Sequence, residues 1–217
     1  MNHWLPTASL TMLQQRADML FAVRKFFHER AILEVDVPVL ARAAVTDPNV
    51  DSFEVNAPTH PQTPFFLMTS PEFYLKRLVA AGSGPVYSLG HAFRAENSGS
   101  RHQPEFTLLE WYRPSWTLLA LMDEVASLVQ LFKIFPVRNT TYRQLFIDAF
   151  SIDPHTVALE TIKKIAHEQL SPAFDSDDVS VWLDLLFSHI IEPTLDGMVF
   201  VEQFPAAQAA LAKTTED

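Results

Sequence analysis

Residues 86–113 read VYSLGHAFRAENSGSRHQPEFTLLEWYR, and this stretch decides the predicted fold. Two strand-like segments, Val86 to Glu96 and Glu105 to Arg113, flank a polar loop from Asn97 to Pro104. Two segments of this kind joined by a polar loop are typical of an antiparallel hairpin. We therefore predict two long, paired strands here.

Side chains alternate between the two faces of a strand, so the sequence predicts which residues share a surface. On the first strand Arg94 and Glu96 share one face, and on the second strand the set is Phe106, Leu108, Glu110 and Tyr112. If the two faces coincide, they form one surface with a guanidinium, carboxylates and aromatic rings. Arginine fits phosphate oxygens and an aromatic ring can stack under a purine, which favours a nucleotide site. The pattern alone leaves open a solvated face of ordinary cross-strand charge pairs.

The remaining segments complete a fold class. Residues at helical spacing predict that the first helix buries one stripe, made of Leu13, Ala17, Leu20, Phe21, Arg24 at its edge and Phe27. The predicted elements in chain order are a helix at 10–31, strands at 32–38, 52–55 and 64–68, a helix at 71–81, the hairpin, a helix at 117–132, two or three short helices within 142–189 and a strand at 198–203. This order predicts an α+β fold with a mostly antiparallel sheet flanked by helices.

The start of the predicted helix at 71–81 has a clear local signature. Ser70 is a good N-cap, Pro71 suits the first helical position, and Glu72 places a carboxylate where the helix dipole favours it. Gly82 is a typical helix terminator. We therefore predict that this helix begins directly after Ser70.

Composition excludes several classes of function. The 217 residues carry a net charge of −10, which argues against binding of nucleic acid through a uniformly basic surface. They contain no cysteine, which excludes disulfides and thiolate chemistry. Neither glycine-rich phosphate-binding pattern, GxxxxGK[ST] or GxGxxG, occurs, so a nucleotide must be held another way. No apolar run reaches the roughly 18 residues of a membrane span, and the first 20 residues do not resemble a signal peptide. We expect a cytoplasmic protein.

Three segments, in order, resemble the class II aminoacyl-tRNA synthetases in their lysyl form. Residues 93–96 (FRAE) and 101–110 (RHQPEFTLLE) resemble motif 2 of that family. Residues 33–40, with Pro38, resemble motif 1, the element that forms the dimer. Residues 69–78 (TSPEFYLKRL) resemble the segment that reads the amino acid. The resemblance implies a class II synthetase-like antiparallel sheet and a homodimer.

Two further segments resemble a particular branch of that family. Residues 110–114 (EWYRP) and 204–212 (FPAAQAALA) are similar to the short paralogues that ligate (R)-β-lysine to elongation factor P. The resemblance extends over nearly the whole chain and implies one catalytic domain over residues 1–217. Motif 3 and the acidic strand that holds magnesium follow later in the family, so we expect a domain that is incomplete at its C-terminus.

The resemblance implies a set of ATP contacts: Arg94, Glu96, Arg101, His102, Phe106 and Gln103, the last standing where the family usually has asparagine. Arg94 would be the catalytic residue, because it would bind the α-phosphate and stabilise the charge that develops there. Glu96 would contact the adenine amine and Phe106 would stack on adenine. Arg101 and His102 would reach the outer phosphates. The structural alternatives are a surface ion pair for Arg94 and Glu96, ordinary core packing for Phe106, and a loop histidine without a function for His102.

The amino-acid substrate would be held by Ser70, Pro71, Glu72, Glu110 and Tyr112, which match the corresponding family positions. A diamino acid needs carboxylates for its ammonium groups, and Glu72 and Glu110 supply two. Glu72 has the alternative role of a first-turn helix charge, and Glu110 has that of a metal-bridged phosphate contact. The implied cofactors are ATP and Mg²⁺, with no metal ligand assigned among these residues.

The leading hypothesis is an ATP-dependent ligase that activates (R)-β-lysine, or lysine, as an adenylate. It would pass the acyl group to a lysine of elongation factor P. One alternative is a catalytically incomplete remnant that binds nucleotide or a partner. A fragment of a lysyl-tRNA synthetase is a weaker alternative, since the net charge of −10 argues against tRNA and no room precedes residue 10 for an anticodon-binding domain.

Overall fold

The computed structural model describes residues 4–47, 50–60, 63–96, 99, 102–210 and 212–214. The chain divides into two compact units, one ending at Phe132 and the other beginning at Lys133. Each unit has a hydrophobic core of its own. The single catalytic domain predicted over residues 1–217 stays a prediction.

The first unit contains three helices and six strands within its described residues. In chain order they are α1 (Leu10–His28), β1 (Leu33–Glu34), β2 (Leu40–Ala41), β3 (Glu54–Val55), β4 (Phe65–Leu67), α2 (Glu72–Ala80), β5 (Val86–Phe93), β6 (Glu105–Tyr112) and α3 (Leu118–Gln130). The first helix stops short of its predicted end because Ala31 adopts a left-handed φ of 53°, which no α-helix contains. β2 was not predicted, and the other short strands lie within the predicted ranges.

The predicted hairpin is confirmed. β5 and β6 pair antiparallel over eight residues each, from Val86 opposite Tyr112 to Phe93 opposite Glu105. β1 pairs with the other edge of β5, but in parallel. A separate three-stranded sheet, β2–β4–β3, is antiparallel throughout. The α+β class is therefore confirmed, with a mixed rather than uniformly antiparallel main sheet.

One face of the β5–β6 hairpin forms the main core of the first unit. We call it the core face, and its members in this cluster are Tyr87, Leu89, Leu109 and Trp111. Phe27 of α1 stacks on Tyr87 with 4.5 Å between ring centroids and meets Trp111 edge-on at 5.4 Å. Leu128 of α3 belongs to the same cluster. These four odd-numbered residues therefore point towards the helices and bury apolar area there.

The stripe predicted to be buried on α1 is wrong for most of its length. Phe21 is 69% exposed and Leu13 is 47% exposed, whereas the buried residues are Val23, Phe26 and Phe27. Helical periodicity correctly identifies an apolar stripe, but tertiary packing covers only the C-terminal part of the helix and a different face. The apolar residues near its N-terminal end therefore remain on the surface.

The start of α2 lies one residue later than predicted. The helix begins at Glu72 and Pro71 occupies the cap position, where it offers no side-chain cap. Ser70 still satisfies one free donor, because its Oγ accepts the backbone N–H of Glu72 at 3.1 Å. The predicted stop is confirmed, since Gly82 adopts a φ of +88° just past the helix.

The second unit contains β7 (Val137–Thr141), α4 (Tyr142–Phe150), α5 (Leu159–Leu170), α6 (Val179–Leu186) and β8 (Met198–Glu202). Tyr142, Phe146 and Trp182 lie at the centre of its core. β7 was not predicted, because only its first residue is apolar, and it pairs in parallel with β8. No described helix of the chain has the length and hydropathy needed to cross a membrane.

Candidate active site

The second face of the β5–β6 hairpin has a floor of small side chains. On β5 these are Ser88, Gly90 and Ala92, and a Cβ placed on Gly90 would meet no heavy atom within 4 Å. The facing residues of β6 are larger, namely Phe106, Leu108, Glu110 and Tyr112. We call these seven residues the site face. Small residues beneath larger polar and aromatic ones leave open space for a ligand.

Arg94 follows β5 and lies beside the aromatic ring of the site face. Its guanidinium carbon is 5.3 Å from the centroid of the Phe106 ring, and its backbone N–H donates to the Pro104 carbonyl at 2.9 Å. The Arg94 Nε is buried and has no hydrogen-bond partner among the described residues. A buried charged donor without a partner is costly unless a ligand accepts its hydrogen bond. This arrangement suits an anionic group next to a flat ring.

A carboxylate network lies towards the other end of the same face. Ser70 Oγ donates to one oxygen of Glu110 at 2.7 Å, and Tyr112 Oη donates to the other at 2.8 Å. Ser70 belongs to the segment before α2, whereas the other two residues belong to β6. The network therefore joins two segments that are about 40 residues apart in the chain and fixes the orientation of the Glu110 carboxylate.

Burial and the neighbouring carboxylates affect the ionisation of Tyr112 in this network. Burial, followed by the hydrogen bond to Glu110, raises the pKa of Tyr112 well above the usual tyrosine range. The negative charge of Glu72 raises that pKa further. Tyr112 therefore stays protonated as a donor at neutral pH. Glu72 also forms an ion pair with Lys76, one helical turn away.

A pocket of about 360 Å³ opens beside the start of α2. Ser70 and Glu72 line it together with apolar side chains that include Met68. Its volume is within the range that small-molecule ligands occupy. Pro71 is buried at the turn between the two polar residues and shapes the wall without offering a donor.

The remaining predicted contacts lie apart from this network. Glu96, His102 and Gln103 are exposed, and none of their side chains forms a hydrogen bond with the site face within the described part of the chain. The Gln103 amide donates to the Gly99 carbonyl at 3.5 Å, and the His102 carbonyl accepts the Gly99 N–H at 3.0 Å. Arg101 lies outside the described residues. The structure thus brings together Arg94 with Phe106, and Ser70 with Glu110 and Tyr112.

Sequence reasoning missed the small floor. Ser88 is only 5% exposed and stands directly opposite Glu110, and Gly90 keeps the centre of the face open. The signal was present, because small residues recur at every second position of β5. Among the residues that the structure describes, no group of three or more His, Asp or Glu is placed to hold a metal ion.

Comparison with known proteins identifies the family. The family described as tRNA synthetases class II (D, K and N) matches residues 5–217. A relative from Hamiltonella defensa subsp. Acyrthosiphon pisum (strain 5AT), named elongation factor P–(R)-β-lysine ligase, is 43% identical over 99% of this chain and 69% of its own length. Proteins of the same name from Pseudoalteromonas translucida (strain TAC 125) and Vibrio cholerae are 44% and 42% identical over 98% of this chain.

The chain thus spans 68–69% of the length of these three relatives. Their names describe ligases, and the match extends from the first helix to the end of the chain. This agrees with the motif resemblance and with the α+β fold. The chain therefore belongs to the class II tRNA synthetase family, a family of enzymes, and its similar relatives within it are named as ligases.

Proposed function

We propose that the chain acts in an ATP-dependent ligase that activates (R)-β-lysine, or lysine, as an adenylate. The acyl group then passes to a lysine of elongation factor P. The observation that carries the proposal is that an arginine–aromatic pair and a hydrogen-bonded carboxylate share one sheet face. The names of the relatives support the choice of amino acid and acceptor.

ATP occupies the Arg94 end of the site face in this proposal. Adenine stacks on Phe106, and the unpartnered Nε of Arg94 donates to an oxygen of the α-phosphate. The small floor at Gly90 supports this position, since a flat base needs open space above the sheet. Glu96 contacts the adenine amine, and Arg101, His102 and Gln103 approach the nucleotide from the loop.

The amino acid occupies the Glu110 end. Its ammonium groups pair with the carboxylates of Glu72 and Glu110, and the substrate ammonium replaces Lys76 beside Glu72. Ser70 and Tyr112 hold Glu110 in place as an acceptor, and Pro71 fixes the turn that presents its neighbours.

The chemistry takes place in two displacements. A carboxylate oxygen of the amino acid attacks the α-phosphorus of ATP, a new P–O bond forms, and pyrophosphate leaves as the α–β bond breaks. The side-chain amine of the acceptor lysine then attacks the acyl carbon, loses a proton, and AMP leaves. Arg94 stabilises the charge that builds up on the α-phosphate oxygens during the first step. No side-chain nucleophile is needed.

Magnesium neutralises phosphate charge in reactions of this kind. The described residues do not fit it well, because they contain no cluster of three acidic or histidine ligands. Both oxygens of Glu110 also accept hydrogen bonds already. We therefore assign no step to the metal in this chain.

A homodimer is part of the proposal. Leu10, Leu13 and Phe21 on α1 and Leu33 on β1 are exposed, although their spacing on the helix forms an apolar stripe. Exposed apolar stripes commonly mark protein interfaces. Leu33 belongs to the region that resembles motif 1, and the stripe on α1 precedes that region. A tRNA substrate is not proposed, because the net charge is −10. The cytoplasmic location stays a prediction.

The test is ATP–pyrophosphate exchange with lysine and with (R)-β-lysine in separate reactions. Exchange that depends on either amino acid supports adenylate formation, and the preferred amino acid identifies the substrate. Transfer of the labelled acyl group to purified elongation factor P tests the second step, with tRNA as the competing acceptor. A folded sample that binds ATP without exchange would instead favour the nucleotide-binding remnant.

A further inference from the structure

Glu124 lies on α3 and contacts β6 from the side opposite the site face. Only 3% of its side chain is exposed. Its Oε1 accepts a hydrogen bond from Trp111 Nε1 at 3.0 Å, and Arg113 Nη2 lies 2.9 Å from its Oε2. One buried carboxylate therefore contacts two positions at the C-terminal end of β6.

Arg113 is itself enclosed, and its buried Nε has no hydrogen-bond partner among the described residues. Its side chain is 9% exposed, and its guanidinium carbon lies 3.7 Å from the centroid of the Trp116 ring. A planar guanidinium between a carboxylate and an aromatic face has few alternative positions. Because the ion pair is shielded from water, separating its members exposes a buried charge. The end of β6 is thus fixed by Glu124 together with Trp116.

Trp111 and Arg113 flank Tyr112, whose side chain points to the other face of the sheet. A movement of the two flanking residues carries Tyr112 with it, because alternate residues share one backbone. The bonds that Glu110 accepts from Tyr112 and Ser70, at 2.8 and 2.7 Å, tolerate little displacement of β6 relative to the start of α2.

We infer that Glu124 is a positioning residue for the amino-acid half of the site, because it fixes the end of β6 that presents Glu110 and Tyr112 to Ser70. This inference rests on the proposed role of those three residues. Glu124 touches neither ligand, so its effect on binding passes through Trp111 and Arg113. The ATP half of the site depends on the opposite end of β6 and on Arg94. It does not depend on Glu124.

The first variant is Glu124→Gln, which keeps the size of the side chain and an acceptor for Trp111 but removes the charge facing Arg113. We expect a crystal structure of this variant to show both hydrogen bonds to Glu110 lost. Calorimetry with lysine and with ATP should show lysine affinity reduced by about tenfold, the effect of one good contact, and ATP affinity unchanged.

A second variant separates positioning from stability. The double variant Arg113→Met, Glu124→Met leaves no unpaired charge. Its melting temperature should therefore be closer to that of the wild type than the melting temperature of Glu124→Gln is. This double variant also removes the acceptor for Trp111, so β6 is no longer tied to α3 at either position and lysine affinity should stay low. Lysine affinity that recovers together with the melting temperature would overturn the inference. Asp153→Asn is the matched control, since it weakens a 2.8 Å ion pair with Arg143 in the second unit.

The structural readout distinguishes this inference from the proposed function. If both Glu110 bonds survive in Glu124→Gln, the positioning role is wrong whatever the activity. If the bonds are lost and lysine still binds normally, Glu124 positions the network as inferred, but Ser70, Glu110 and Tyr112 do not bind the amino acid. Loss of the bonds together with weaker lysine binding supports both the positioning role of Glu124 and the proposed function.

Discussion

The two faces of the β5–β6 hairpin use the same backbone for opposite purposes. The core face buries Tyr87 and Trp111 against Phe27, with ring centroids 4.5 and 5.4 Å from that residue. The site face instead places small residues opposite Phe106 and Glu110 and leaves open space above Gly90. Aromatic rings thus stabilise the fold on one side, whereas the other side carries Phe106 beside Arg94, whose buried Nε has no partner among the described residues. The comparison teaches that side-chain size, alternating along one strand, separates a packed face from an open one.

The largest expected effect is on the core face. Phe27→Ala should lower the free energy of unfolding by about 3–5 kcal/mol, because it opens a cavity between two aromatic rings. Denaturant unfolding followed by circular dichroism measures it. Phe106→Ala, on the site face, is the matched control and should cost about 1 kcal/mol or less. Equal losses in the two variants would remove the distinction between the faces.

The second effect is catalytic. Arg94→Met should reduce pyrophosphate exchange by about 100- to 1,000-fold, as expected when a preorganised donor to a developing charge is lost. Stability should change little, since its buried Nε has no partner among the described residues to lose. Arg16→Met is the control, because that arginine donates to Thr107 on the opposite face. Exchange at the wild-type rate in Arg94→Met would contradict the proposed role.

The third effect concerns nucleotide affinity. Phe106→Ala should weaken ATP binding by about 1–3 kcal/mol, the usual contribution of a base stacked on an aromatic ring. Isothermal titration calorimetry measures the change. Thr107→Ala alters the next residue, whose side chain points to the core face, and should leave ATP affinity as it is. If both variants bind ATP equally well, the base does not lie on this ring.

The smallest expected effect on stability is at Gly90, where stability and exchange activity should respond differently. Gly90→Val should leave stability unchanged or raise it by about 0.5–1 kcal/mol, because glycine is unfavourable within a strand and no heavy atom lies within 4 Å of the new Cβ. Exchange should nevertheless fall, since valine fills the floor beneath the proposed ligand. Gly90→Ala should be intermediate. An active Gly90→Val enzyme would show that the open space is not the binding site.

Sequence patterns predicted the hairpin and its alternating faces correctly, and Phe106, Glu110 and Tyr112 lie where the period of two puts them. They also predicted the apolar stripe of α1, but not its exposure. Periodicity reports which residues share a face, whereas burial depends on what packs against that face. Phe21 therefore matches the pattern and still lies on the surface.

The sequence could not predict that Ser70 forms a hydrogen bond with Glu110. The two residues are separated by 40 positions, and only the packing of α2 against the end of β5–β6 brings them together. The same holds for Glu124, which reads as an ordinary helix charge beside Asp123 until its burial under β6 is known.

By itself, the sequence determined the hairpin with its alternating faces, most of the other elements and the family of the chain, because these depend on local periodicity and on motif order. The tertiary structure alone decided which carboxylate is held, by which hydroxyl groups, and that the Nε of Arg94 has no partner among the described residues. Hydrogen bonds and ion pairs of this kind depend on distances of about 3 Å between distant segments. Such distances follow from packing, which no spacing along the chain specifies.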